Sequence, residues 1–97
     1  MTRIVFVDPA RDEMIEAAEY YENQSTGLGK DFIAEVQHTV NRIVENPKSG
    51  RIIRSNIRRR LLRRFPYGIL YRTDAEKIVI VAVMHLRRRP GYWRYRI

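Results

Sequence analysis

The C-terminal stretch His85-Leu86-Arg87-Arg88-Arg89-Pro90-Gly91-Tyr92-Trp93-Arg94-Tyr95-Arg96-Ile97 combines one imidazole, a dense set of guanidinium groups and three aromatic rings. Guanidinium forks grip phosphate and carboxylate oxygens, and aromatic faces stack on nucleobases. Three readings are open to such a stretch: nucleic-acid contact, docking of an acidic peptide, or a solvated basic tail with Trp93 packed on the core. His85 ends an apolar run, where a strand delivers side chains to a cleft. An imidazole there can act as acid or base near neutral pH, or it can be structural. His38 lies among acidic residues with no evident partner and reads as a surface residue.

A second basic cluster, Arg58-Arg59-Arg60 and Arg63-Arg64, flanks Leu61-Leu62. On an extended strand Arg58, Arg60 and Arg64 share one face, and Arg59 and Arg63 the other. That much charge on one strand needs a negative counterpart. An anion-binding groove would supply it, and so would carboxylates elsewhere in the chain; long arginine stems can also lie over apolar surface.

The charge is divided by position. Residues 1–50 hold five Lys/Arg and nine Asp/Glu, a net −4; residues 51–97 hold fourteen and two, a net +12, which together give +8. A GC-rich coding sequence would account for arginine outnumbering lysine as well as a need for guanidinium forks does, but it does not account for confinement of the charge to one half. The positive half should attract nucleic acid, an acidic protein or an anionic membrane surface. Asp74 and Glu76 are its only acids. That argues against a metal-dependent nuclease, which needs several convergent carboxylates. With no cysteine in the chain, disulfide scaffolds, thiol nucleophiles and cysteine zinc sites are excluded. No glycine-rich phosphate loop, nucleophile elbow or metal-ligand spacing is present, so neither metal nor cofactor is expected.

The elements that must position these residues follow from periodicity. Arg3 to Val7 reads as a short strand. Asp8 is suited to cap a helix and Pro9 to its first position. A helix over 10–23 carries Ala10, Met14, Ala17 and Tyr21 on one face, and a helix over 30–45 carries Phe32, Val36, Val40 and Ile43. Glycines in 24–29 make the turn, so the pair should be an antiparallel hairpin. Strands follow at 52–53, 57–65, 67–72 and 77–85, the last apolar on both faces and therefore central. Strict alternation would put Ile78, Ile80, Ala82 and Met84 on one side, with Val79, Val81, Val83 and His85 on the other. The helices can cover one face; the other is left to something else, such as a partner. The pattern predicts an α+β fold: an N-terminal strand, the helical hairpin, then a twisted antiparallel sheet in one domain over 1–97. Sheet order does not follow from it. No apolar run is long enough to span a bilayer and the N-terminus is too short for a secretory signal, so the expected location is cytoplasmic, with no membrane partner.

Three stretches together resemble the RelE/ParE toxin family of type II toxin–antitoxin systems. They are Asp8-Pro9-Ala10 after the first strand, Arg63-Arg64-Phe65-Pro66-Tyr67-Gly68-Ile69-Leu70-Tyr71-Arg72, and Ile80 to His85 followed by Arg87-Arg88-Arg89-Pro90-Gly91-Tyr92-Trp93. The resemblance implies a growth-inhibiting toxin, in hetero-oligomeric complex with a cognate, usually acidic, antitoxin. It also implies one of two targets. RelE-like members are ribosome-dependent mRNA endonucleases; ParE-like members inhibit DNA gyrase and need no catalytic residues. In the nuclease case His85, Arg87 and Tyr92 are the candidate catalytic groups. Gly68, however, stands where the nuclease pattern has a catalytic arginine. Phe65-Pro66-Tyr67 and Pro90-Gly91-Tyr92-Trp93 read as ParE-like, so gyrase inhibition is the favoured expectation and enzymatic activity the alternative. Target or antitoxin contacts are expected at Arg58, Arg60, Arg64, Arg87, Arg88, Arg89, Tyr92 and Trp93.

Overall fold

The computed structural model describes residues 2–96. The chain runs β1 (Arg3–Phe6), α1 (Asp8–Gln24), α2 (Leu28–Glu45), β2 (Arg51–Arg54), β3 (Ile57–Leu61), β4 (Tyr67–Asp74), β5 (Lys77–His85) and a 3-10 turn (Arg94–Arg96). This is the expected α+β order. The strands form one sheet in the order β1-β5-β4-β3-β2. The short connections among β2, β3, β4 and β5 give antiparallel pairs, while β1 lies parallel to β5. A parallel pair needs a long crossover, and the hairpin with three strands supplies one here. Among the described residues no helix is long and apolar enough to cross a membrane.

Asp8 does not cap α1. Val7 holds the cap position, and Asp8 is the first helical residue, its exposed carboxylate 3.3 Å from Arg11. It still opposes the positive helix end from the first turn. At the hairpin, Glu22 does the capping from the preceding helix: its carboxylate accepts the N–H groups of Gly27 and Gly29 at 2.9 and 3.0 Å. Gly29 is obligatory for another reason, because a Cβ there would lie 2.4 Å from the Ala18 carbonyl oxygen. The hairpin packs Phe32, Val36, Val40 and Ile43 against Ile69, Tyr71, Ile78, Ile80 and Val83 of the sheet. Phe32 meets the rings of Phe65 and Tyr67 edge-on at 5.1 and 5.0 Å, the arrangement ring quadrupoles favour.

The strict alternation expected of β5 breaks in its middle. Leu70 pairs with Ala82 but Tyr71 pairs with Ile80, so Val81 is an extra residue on β5. Such a bulge changes which face the following residues point to. Ile78, Ile80 and Val83 therefore face the helices, while Val79, Ala82 and Met84 join Val81 on the other side. His85 follows Val83 in phase and reaches Tyr67, 5.0 Å between ring centroids. A periodicity argument cannot see this shift, because a bulge costs no break in the apolar run.

The second face is covered in part by the chain itself. Trp93 folds back and is buried with Ile57, Leu70, Val79, Val81, Ala82 and Met84. β3 also ends earlier than expected. It stops at Leu61; Leu62 is buried, and the chain then bends so that the backbone N–H groups of Arg63 and Arg64 both donate to the Glu35 carboxylate.

Candidate functional site

The alternation of β3 decides which arginines reach which side. Ile57 belongs to the second core, and Arg59 pairs directly with Leu70 of that core, so Arg59 shares their face. Arg58 pairs with Tyr71 and Arg60 with Ile69, so these two lie on the helix side. Both are committed there to the loop after α2. Arg58 donates to the Lys48 and Gly50 carbonyls at 3.1 and 2.8 Å, and Arg60 donates to the Ser49 hydroxyl. Tyr71 adds a hydroxyl that donates to the Pro47 carbonyl at 2.7 Å and accepts the Gly50 N–H at 3.0 Å. Arg58 and Arg60, expected at a binding surface, thus brace a loop. Arg64, beyond the strand end, sits 3.7 Å from Asp31 in an exposed pair; such pairs contribute little.

On the second face a groove of about 250 Å³ opens between β2, β3 and the C-terminal stretch. Met84, Ile53 and Trp93 make its apolar lining, and Arg54, Arg59, Arg88 and Arg94 its charged one; no acid lines it. None of these four guanidinium groups has a carboxylate partner among the described residues. Two of them are seated on glycine. A Cβ at Gly68 would come within 3.1 Å of the Arg59 stem, and one at Gly91 within 2.6 Å of Arg94 Nε. Gly91 also has φ +77°, which a residue with a side chain adopts only at a cost. The Arg88 guanidinium stacks 4.0 Å above the Tyr92 ring, a cation–π contact.

What holds the tail in place is Glu13 of α1. Its Oε1 accepts the Val83 N–H at 3.0 Å and Arg96 at 2.8 Å, and its Oε2 accepts the Tyr92 hydroxyl at 2.6 Å and Arg96 at 3.1 Å. Arg96 donates as well to the Val81 carbonyl at 3.2 Å. The Val83 N–H and the Val81 carbonyl, on β5 beyond the last residue paired with β1, are thereby satisfied, which a buried polar group requires. Only 6% of the Arg96 side chain and 12% of that of Glu13 is exposed. Burial raises the Tyr92 pKa above the usual phenol range, and the hydrogen bond to Glu13 raises it further. For Arg96 burial works toward a lower pKa, but the hydrogen bond and charge of Glu13 outweigh it.

The three candidate catalytic groups are not brought together around a common cavity. His85 lines a cleft beside Tyr67 and Glu16, and neither Arg87 nor Tyr92 lines it. The His85 Nδ1 accepts the Arg87 N–H at 3.0 Å, which leaves the proton of the neutral ring on Nε2. The Tyr92 hydroxyl is spent on Glu13. Trp93, expected at a contact surface, is 4% exposed and belongs to the core. Arg87 and Arg89 are exposed beside the groove-lining Arg88. Arg54 was not singled out in the sequence, and Arg59 and Arg94 were named there only within their basic stretches, not among the expected contact residues. For Arg59 a signal existed in its phase with Ile57; for Arg54 and Arg94 only the folded tail reveals it.

The family model described as "ParE toxin of type II toxin-antitoxin system, parDE" matches residues 4–97. No curated protein matches the chain significantly. A solved structure titled "Chromosomal ParDE TA system from P. aeruginosa" superposes with a TM-score of 0.65 at 19% identity, covering 88% of this chain and 96% of that chain. At that identity the likeness speaks for the fold. The family match, spanning nearly every residue from the first strand to the tail, carries more: the chain belongs to the ParE toxin family of type II toxin–antitoxin systems.

Proposed function

We propose that this toxin inhibits DNA gyrase by binding it, without cleaving RNA, and that an acidic antitoxin keeps it silent by covering its basic side. A toxin of a type II system has an antitoxin partner; the acidity is argued from charge. A +12 half with a groove of unpaired arginines is complementary to a negative segment. Action on gyrase implies a cytoplasmic site of action.

The observation that carries the binding reading is the use of the candidate nuclease groups. An RNA-cleaving site needs a base for the 2′-OH and cations aimed at the phosphate, in hydrogen-bond reach of one another. Here the Tyr92 hydroxyl is held by Glu13, the His85 Nδ1 by the Arg87 backbone, and Gly68 offers no side chain. Purified protein should abolish supercoiling by gyrase, and His85→Ala and Arg87→Ala should inhibit as wild type does. Undiminished supercoiling at excess toxin, with mRNA cut on translating ribosomes and both variants inactive, would replace this reading by the RelE-like one.

A further inference from the structure

The arginine groove is built, and among the described residues no carboxylate pairs with its guanidinium groups; only Arg88 is engaged, over the Tyr92 ring. Arg51 stands directly opposite Arg59 in the β2–β3 pairing, where like charges repel. Neither has an ion-pair partner among the described residues. Gly68 and Gly91 leave the space in which Arg59 and Arg94 lie. Elsewhere the protein does neutralise a buried guanidinium, pairing Arg96 with Glu13. The groove shows the opposite pattern, with Arg54, Arg59, Arg88 and Arg94 gathered beside an apolar lining.

We infer that this groove binds the phosphodiester backbone of DNA, at the segment that gyrase holds, so that toxin and DNA are in direct contact in the inhibited complex. The location on gyrase rests on the function proposed above; the binding chemistry does not. Linear charge density favours a duplex phosphate backbone over an acidic peptide. A DNA duplex carries about one negative charge per 1.7 Å of its axis, whereas an extended peptide presents side chains to one face only every ~6.8 Å. A closely set group of guanidinium groups with no intervening acid suits the denser array. Trp93 is buried and offers no face for base stacking. Binding is therefore directed at the backbone and carries no sequence preference, because phosphate contacts position a protein without reading bases.

The test is anisotropy of a fluorescent duplex oligonucleotide titrated with the purified full-length protein at several salt concentrations. The double variant Arg59→Gln with Arg94→Gln should bind roughly tenfold more weakly, and its log–log salt slope should shrink by about 2, one for each phosphate contact removed. Arg3→Gln with Arg42→Gln, on β1 and α2 outside the groove, should change the slope little. A duplex of scrambled sequence should bind alike. If the first variant is less stable, Arg54→Gln with Arg88→Gln gives the same reading from the other two arginines. Equal loss in the groove and control variants would overturn the inference, since diffuse charge would then carry binding. So would retained DNA affinity in the groove variants accompanied by lost affinity for a poly-glutamate peptide. Supercoiling assays on the same proteins separate the two proposals. Gyrase inhibition without groove-dependent DNA binding removes only this inference, and groove-dependent DNA binding without gyrase inhibition removes only the gyrase reading.

Discussion

Glu13 joins three parts of the molecule that are distant in sequence. It accepts from the Val83 backbone, from Tyr92 and twice from Arg96. Removing one member of a buried ion pair leaves the other without compensation, at a typical cost of about 3–5 kcal/mol. Glu13→Ala should therefore lower stability by that order in chemical denaturation. Glu13→Leu combined with Arg96→Met should recover much of it, because the double change leaves no stranded charge. A double variant no more stable than Glu13→Ala would show that the hydrogen bonds to the Val83 and Val81 backbone matter more than the charges. Tyr92 adds a pH dependence with a defined sign. Its folded pKa lies above its ordinary value of 10.0, so the protonated phenol is the form the fold prefers. The associated stability is present below pH 10 and is lost as pH rises beyond it. The stability advantage of wild type over Tyr92→Phe should accordingly shrink above pH 10; an advantage that grows there would contradict the hydrogen bond to Glu13.

At the scale of elements the tail behaves as part of the sheet. Trp93 seals the second face of β4 and β5, and the only tryptophan of the chain is thus an optical probe of tail docking. In urea its fluorescence transition should coincide with loss of far-UV circular dichroism. In Glu13→Ala the fluorescence change should come first. Trp93→Ala should cost about 3–5 kcal/mol, the usual range for emptying a large buried aromatic site. A separate, early tryptophan transition in the wild type would mean that the tail docks independently of the sheet. The two helices and the order of elements were readable from the chain, because Phe32, Val36, Val40 and Ile43 repeat at helical spacing and lie buried as expected. The Val81 bulge was not, because both sides of β5 are apolar and the sequence shows no change of pattern where the phase shifts.

Over the whole molecule, an excess of eight positive charges works against the compact state through self-repulsion. Raising salt from about 0.05 to 0.5 M should increase the thermal midpoint, since the Debye length falls well below 10 Å over that range. Arg54→Gln with Arg59→Gln should show a smaller rise than wild type. An equal rise in both would place the repulsion elsewhere than at the groove.

The chain by itself determined the charge division, the helical hairpin, the central strand and the family resemblance, because composition and hydrophobic period are local properties. The folded structure decided which arginines remain available. Arg58 and Arg60 turn toward the loop after α2, while Arg59, Arg54, Arg88 and Arg94 converge on a groove. The physical reason is that a strand has two faces, and only pairing, the bulge and the refolded tail fix what each face meets. Neighbouring arginines of like chemistry are thus separated into structural and free groups by position alone.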